Sequence, residues 1–336
     1  MKAYEIRESF GIDHLILADS PQPSPGRGQA LIKIRSVSLN YRDLLMVKGL
    51  YNPRIPLPFV PFSDGAGDVI AVGEGVSGVK VGDRVAGIFM QDWIDGEFTE
   101  AKARSALGGG KQGMLAEYVV LNEHGLVQIP GHLSYEEAST LPCAAITAWH
   151  AVIENGVKPG HSILLLGTGG VSIFSLQFAV MAGAEVIITS GSDEKIAKAL
   201  KLGAVHGINY KTVPEWDSKV RELTGGAGVD TVVEVGGAGT LPKSLRAVRM
   251  GGKIILIGVL SGASGELNPR SITMKKIRLQ GILVGSREMF ESMNRAVSLH
   301  RLHPVIDRVF PFGEACGALR YMESSAHFGK ICITLE

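Results

Sequence analysis

Three glycines fall within four residues at Gly167-Thr168-Gly169-Gly170, and Val171-Ser172 follow. The apolar run Ile163-Leu164-Leu165-Leu166 precedes them and a second apolar stretch comes after. Glycines at this spacing bring backbone N–H groups against an anion with no side chain in the way. A helix opening there adds the positive end of its dipole. Gly167 reads as the tight turn and Gly169 as the position that admits a pyrophosphate. Ser172 is the small third residue that lets helix and strand pack closely. With the strand-like run Glu185-Val186-Ile187-Ile188-Thr189-Ser190 behind it, the unit predicts a dinucleotide site spanning Gly167, Thr168, Gly169, Gly170 and Val171.

The end of that second strand selects the dinucleotide. An NAD site places Asp or Glu there, on the ribose diol. Here the tip is Thr189-Ser190-Gly191-Ser192, and Asp193-Glu194 open the next helix. The hydroxyls of Ser190 and Ser192, with the Lys195 ammonium nearby, suit a 2′-phosphate through hydrogen bonds and charge. The expected cofactor is therefore NADP(H).

These residues need a scaffold. From Ile163 to Val284, apolar runs alternate with helical stretches, including Asp230–Val235, Lys253–Gly258 as a central strand and Ile277–Val284 as the last. That rhythm predicts a parallel sheet covered on both faces. Residues 1 to about 120 read as short strands punctuated by Gly73, Gly75, Gly78 and Gly82, a small barrel-like β domain. Asn40–Met46 reads as a short helical turn, and Pro53, Pro56, Pro58 and Pro61 force an extended loop after it. Residues 88–113 read as a surface loop. Ser134 is a plausible N-cap, with Pro142 interrupting the helix that follows. After residue 288 the pattern changes again and ends in the strand Lys330–Thr334.

Composition excludes several classes. With 34 basic and 33 acidic residues in 336, net charge is +1, and no basic field for nucleic acid exists. No long apolar run free of charges and breakers predicts a membrane span. The N-terminus has no secretory h-region. Cys143, Cys316 and Cys332 are too few and too scattered for a disulfide framework, which predicts a cytoplasmic protein.

The sequence resembles the zinc-independent branch of the medium-chain dehydrogenase/reductase superfamily, near the NADPH-dependent quinone reductases. The resemblance runs over nearly the whole chain. It is carried by Leu39-Asn40-Tyr41-Arg42-Asp43, Gly73-Glu74-Gly75-Val76, Lys80-Val81-Gly82-Asp83-Arg84-Val85, Leu115-Ala116-Glu117-Tyr118, Leu141 to Trp149, the glycine turn and Asn209-Tyr210. It implies a Rossmann parallel sheet inserted in a chaperonin-10-like (GroES-like) β-rich domain. The first part of the GroES-like substrate domain would be 1–125, the NADP(H)-binding Rossmann domain 126–286, and the return to the GroES-like domain 287–336. It also implies a homodimer joined through the last Rossmann strand. Lys195 and Tyr210 match positions that hold the 2′-phosphate. Thr147, Gly236 and Val259 match positions near the nicotinamide end, and Ser286 and Arg287 fall in another segment near the cofactor.

Zinc relatives place Cys, His and Cys around a catalytic metal. The matching residues here are Asn40, Ser63 and Cys143, and nine scattered histidines offer no ligand-spaced cluster. The resemblance without zinc implies hydride transfer to a quinone or an α,β-unsaturated carbonyl, with hydrogen-bond donors holding the oxygen that gains charge. Asn40 is the candidate amide donor, Tyr41 a candidate proton donor or packing residue, and Asp43 a residue that orients neighbours. A structural turn is the plain alternative for this segment. An alcohol or aldehyde dehydrogenase is the alternative activity.

Overall fold

The computed structural model describes residues 1–262 and 264–335. They form two compact units, Met1–Ile146 with Val284–Glu336, and Thr147–Leu283. The seams thus fall at 146/147 and 283/284, where the sequence reading set them at 125/126 and 286/287. Residues 126–146 stay with the first unit for a physical reason. Leu126–Gln128 pairs antiparallel with Arg84–Gly87, and the helical segment after it packs on the strand Asp64–Val72.

The first unit is built on the long strand Gln29–Ser38, antiparallel to Asp64–Val72. Its first half also pairs with Tyr118–Asn122. Its end, Ser36–Ser38, pairs antiparallel with the C-terminal strand Lys330–Thr334. Ile306–Pro311 lies beyond that strand, parallel to it. The far end of the chain is thereby laid beside Leu39 and Asn40, and the Leu39 N–H donates to Ile331 O at 3.0 Å. Ile32, Ile34, Val37, Phe62, Leu319 and Ile331 form part of one buried core here.

Tyr41–Val47 is a short helix, as read. Residues 88–113 differ from the surface loop expected. Ile88, Phe89, Met90 and Trp93 are buried, Met90 bridges to Ala106, and Glu100–Ala103 forms a helix capped by the Thr99 side chain. The apolar triplet continues the strand Arg84–Gly87 inward, a signal hidden by the glycines and acids that follow. The helix that Ser134 caps ends at Ser139, and Pro142 falls in the first turn of the segment that follows, an interruption as read from the sequence. The turns widen to π geometry at Leu141–Ala145 and again at His150–Glu154, which accommodates a residue without an N–H.

The second unit is a six-stranded sheet in the order 206–209, 185–190, 162–166, 229–234, 248–256, 278–281, every neighbouring pair parallel. Ile163, Leu164 and Leu165 are fully buried, as strands covered on both faces require. Strand order reverses between 162–166 and 229–234, so the carboxyl ends of these two strands mark the switch point where such sheets bind ligands. The last strand, Arg278–Gly281, is shorter than the run 277–284 and, among the described residues, pairs only with Lys253–Leu256. Among the described residues no helix is long and apolar enough to cross a membrane.

Candidate active site

The glycine turn lies at the end of Ser162–Leu166, at the switch point, and opens the helix Gly170–Met181. Gly167 has φ +74°, a left-handed conformation that favours glycine. A Cβ added at Gly167 or at Gly169 would meet no protein atom within 4 Å, so the cradle has room for the anion its N–H groups solicit. The Ser172 hydroxyl donates to Leu166 O at 2.7 Å, and the Gly167 N–H reaches the Thr189 hydroxyl at 3.3 Å. These bonds lock turn, helix and second strand together. Thr168 is buried and Val171 half-buried.

At the second strand's tip, the Ser190 hydroxyl accepts from Ser192 N–H at 3.3 Å, and the Ser192 side chain caps Lys195 N–H at 3.4 Å. Asp193 accepts from Asn209 Nδ2 at 2.8 Å, which commits that acid to the neighbouring strand. Tyr210 is half-exposed, and a Cβ on Gly191 would lie 2.7 Å from its hydroxyl. Ser190, Ser192 and Tyr210 therefore gather around Gly191, with Lys195 in the first turn of the helix Asp193–Lys201. These residues fit a phosphorylated adenosine ribose: hydroxyls and an ammonium with no carboxylate on the strand tip.

Gly236 and Val259 lie on two loops that the structure joins. Gly236 O accepts from both the N–H and the hydroxyl of Ser261, at 2.7 and 2.8 Å. Ala238 N–H donates to Gly262 O at 3.0 Å. Beneath them is the fully buried Glu234, a residue the sequence reading missed. Its Oε1 accepts from Gly236 N–H, Gly237 N–H and the Thr240 hydroxyl at 2.8, 3.1 and 2.6 Å, and its Oε2 from the Ser244 hydroxyl.

Thr147 is buried in the short helix Ile146–Trp149. Ser286 and Arg287 have local partners in the first unit. The Ser286 side chain caps Met289 N–H at 3.2 Å, while Arg287 bonds Glu291 at 2.8 Å and His124 O at 3.2 Å.

In the first unit, Asn40 and Asp43 come together while Tyr41 points to the exposed side of the same helix. Asn40 N–H donates to Asp43 Oδ2 at 2.8 Å, and Asn40 Nδ2 to Ser63 Oγ at 3.3 Å. The Ser63 and Ser38 hydroxyls donate to Asp64 at 2.7 and 3.3 Å. Lys330, also buried, donates from Nζ to Leu39 O and Asn40 Oδ1, both at 2.6 Å, and lies 3.9 Å from Asp64 Oδ2. Burial pushes Asp43 up to about 7; Arg42 opposes this and Asp64 adds to it. Burial also raises Asp64, against the pull of Lys330. Lys330 escaped the sequence reading, although a lysine opening the apolar strand Lys330-Ile331-Cys332-Ile333 is an anomaly that pattern alone displays.

A thiolate-bound zinc does not fit this set. Two of the matching positions, Asn40 and Ser63, carry neutral oxygen and nitrogen donors. Burial raises the Cys143 thiol, which keeps it protonated, and an ammonium already sits on Asn40 Oδ1. Among the described residues no group of three or more His, Cys, Asp or Glu is placed to hold a metal ion.

Fold and site together define a class. An alcohol dehydrogenase GroES-like domain model matches residues 26–131, and a zinc-binding dehydrogenase model matches residues 170–298. The chain belongs to the medium-chain dehydrogenase/reductase family, whose members are nucleotide-dependent oxidoreductases. It is 46% identical over 316 residues to a zinc-type alcohol dehydrogenase-like protein of Schizosaccharomyces pombe, covering 92% of this chain and 91% of that one. It is 30% identical over 345 residues to the quinone oxidoreductase of Pongo abelii, covering 100% and 98%. Among solved structures, an NAD-dependent alcohol dehydrogenase is 35% identical with a TM-score of 0.92, covering 100% of both chains. A mycobacterial protein complexed with NADPH is 26% identical with a TM-score of 0.84, again covering 100% of both.

Proposed function

We propose that the chain is an NADPH-dependent reductase acting on a quinone or an α,β-unsaturated carbonyl without a metal. The observation that carries this reading is the Asn40–Ser63–Lys330 cluster, which puts neutral donors and an ammonium where a Lewis-acid metal would need anionic soft ligands. Likeness to quinone oxidoreductases over the full length supports it.

NADPH, when bound, supplies a hydride from its nicotinamide ring. The backbone of Gly167 to Val171 would hold the pyrophosphate. Ser190, Ser192, Lys195 and Tyr210 would hold the 2′-phosphate end. Gly236, Val259 and Thr147 are assigned to the nicotinamide end, and Ser286 and Arg287 to another segment near the cofactor. On the acceptor, Asn40 donates a hydrogen bond to the carbonyl oxygen, Asp43 fixes the Asn40 backbone, and Tyr41 is the candidate proton source. Oxidation of NADPH with menadione and with trans-2-hexenal tests the reading; turnover of primary alcohols with either nucleotide, and none of these acceptors, overturns it. That second reading, an NAD(P)-dependent alcohol or aldehyde dehydrogenase, is favoured by likeness to the solved NAD-dependent alcohol dehydrogenase. Lys195→Ala is expected to weaken NADPH binding roughly tenfold or more through one lost charge-assisted contact. NADH binding should be unchanged; equal losses reject the phosphate role.

The reading includes a homodimer joined through the last strand of the sheet, near Leu279 to Val284, supported by the position of Arg278–Gly281 at the sheet edge. Light scattering that finds a monomer removes it. We place the protein in the cytoplasm, where Cys143, Cys316 and Cys332, none of them in a disulfide, would stay reduced.

A further inference from the structure

The tip of the second strand in the second unit gathers donors that have no acceptor. The Ser190 hydroxyl is buried and accepts from Ser192 N–H, and the Ser192 hydroxyl accepts from Lys195 N–H. In both bonds the oxygen accepts, so each hydroxyl keeps a proton to donate. Lys211 is exposed and donates its backbone N–H to Asn209 Oδ1 at 3.0 Å. Among the described residues its ammonium has no hydrogen-bond or ion-pair partner. The acids that open the next helix do not compete for these donors. Asp193 accepts from Asn209 Nδ2 and Glu194 from Lys198 Nζ, both at 2.8 Å.

Adjacent residues of a strand point to opposite faces. Tyr210 and Lys211 instead converge, because the strand His206–Asn209 has ended and the chain turns. Tyr210 N–H donates to Ser190 O at 3.0 Å, and Thr212 and Val213 N–H donate to Asn209 O at 3.2 and 2.8 Å. A Cβ on Gly191 would lie 2.7 Å from Tyr210 Oη and 3.0 Å from Lys211 Cε. Phenol and lysine stem therefore close on one point. Gly191 does not have the positive φ that favours glycine. What glycine supplies there is room above the strand tip.

We infer that Lys211 is a further cofactor-binding residue: with the Ser190, Ser192 and Tyr210 hydroxyls, its ammonium holds the phosphate of a 2′-phosphorylated ribose in the space that Gly191 leaves empty. This assignment rests on the NADPH reading and deepens it, and it lies wholly within the second unit. A phosphate offers charge and several acceptor oxygens to an ammonium on a flexible stem. The ribose 2′-hydroxyl of NADH offers no charge, so Lys211 contributes to the difference between the two nucleotides and not to what they share.

Calorimetry on the whole chain with NADPH, NADH, 2′,5′-ADP and 5′-AMP tests it. Lys211→Gln keeps most of the stem and removes the charge. It is expected to weaken NADPH and 2′,5′-ADP roughly tenfold, with NADH and 5′-AMP unchanged. Lys211→Arg should restore most of that loss. Gly191→Val fills the space with a branched side chain, and it should lose NADPH affinity by more than NADH affinity. Wild-type binding of NADPH in Lys211→Gln or in Gly191→Val overturns the inference, as do equal losses for NADPH and NADH. A wild-type chain that binds NADH as tightly as NADPH sinks the NADPH reading itself, a result seen before any variant is made.

Discussion

Asp64 in the first unit and Glu234 in the second are both fully buried, and the fold stabilises them in opposite ways. Asp64 has two serine hydroxyls and an ammonium 3.9 Å away. Glu234 has neutral donors, two backbone N–H groups and two hydroxyls, all within ten residues of it. A buried charge needs compensation from either dipoles or a counter-charge. Local backbone donors make Glu234 a mould that shapes residues 236–240. The distant cation makes Asp64 part of a linkage that reaches Asn40. The first solution builds a loop, and the second ties Asn40 to the last strand of the chain.

The comparison can be broken at its strongest point by Lys330→Met. It leaves Asp64 without a counter-charge, and the expected cost is roughly 3–5 kcal/mol in denaturant unfolding. Adding Asp64→Asn should recover most of that, and a single variant as stable as the wild type would dissolve the contrast.

Glu234→Gln comes next. It puts an NH2 group among donors only and weakens charge-assisted bonds, at a cost of about 3 kcal/mol. The loops carrying Gly236 and Val259 should loosen. Calorimetry should therefore show weaker binding of NADPH but unchanged binding of 2′,5′-ADP, which lacks the nicotinamide half. Equal losses for both would mean that Glu234 supports the whole sheet and not these loops.

Asp43 sharpens the first half of the comparison through pH. Its carboxyl is pushed by burial to about 7, above an unfolded value of about 3.9. The folded state therefore binds the proton more tightly, and the resulting stability is fully present below about pH 4 and lost as pH rises through about 7. Relative to Asp43→Asn, which mimics the protonated form, the wild type should lose roughly 2 kcal/mol between pH 5 and 8. A pH-independent difference between the two would show that the carboxyl does not titrate in this window. The smallest effect is expected from Ser63→Ala, about 1 kcal/mol for one hydroxyl to Asp64, with little change in NADPH affinity.

Much of this protein is written in local sequence. The glycine turn, the neutral strand tip and the alternation of apolar runs with helices are local in sequence. Each acts through backbone geometry or periodicity, and the parallel sheet and the GroES-like matches follow them. The Ser134 cap is equally local, its hydroxyl accepting from Glu137 N–H at 3.2 Å. The surface-loop reading of 88–113 holds for the exposed residues 95–100 but fails for 88–91 and 105–108, because burial there depends on what the strand Arg84–Gly87 runs into, which no window of sequence contains. The domain seam moves for the same reason: Leu126–Gln128 is claimed by a strand some forty residues earlier.

The sequence by itself determined the nucleotide cradle, since a tight turn, an absent Cβ and a helix start are properties of adjacent residues. It also carries the loss of two of the metal's three ligands, at Asn40 and Ser63, which is a matter of residue type at matched positions. Only the tertiary structure decided what stands in their place. Lys330 is 290 residues from Asn40. Antiparallel pairing of the last strand with Ser36–Ser38 brings its ammonium to the amide, because side-chain electrostatics act through space and not along the chain.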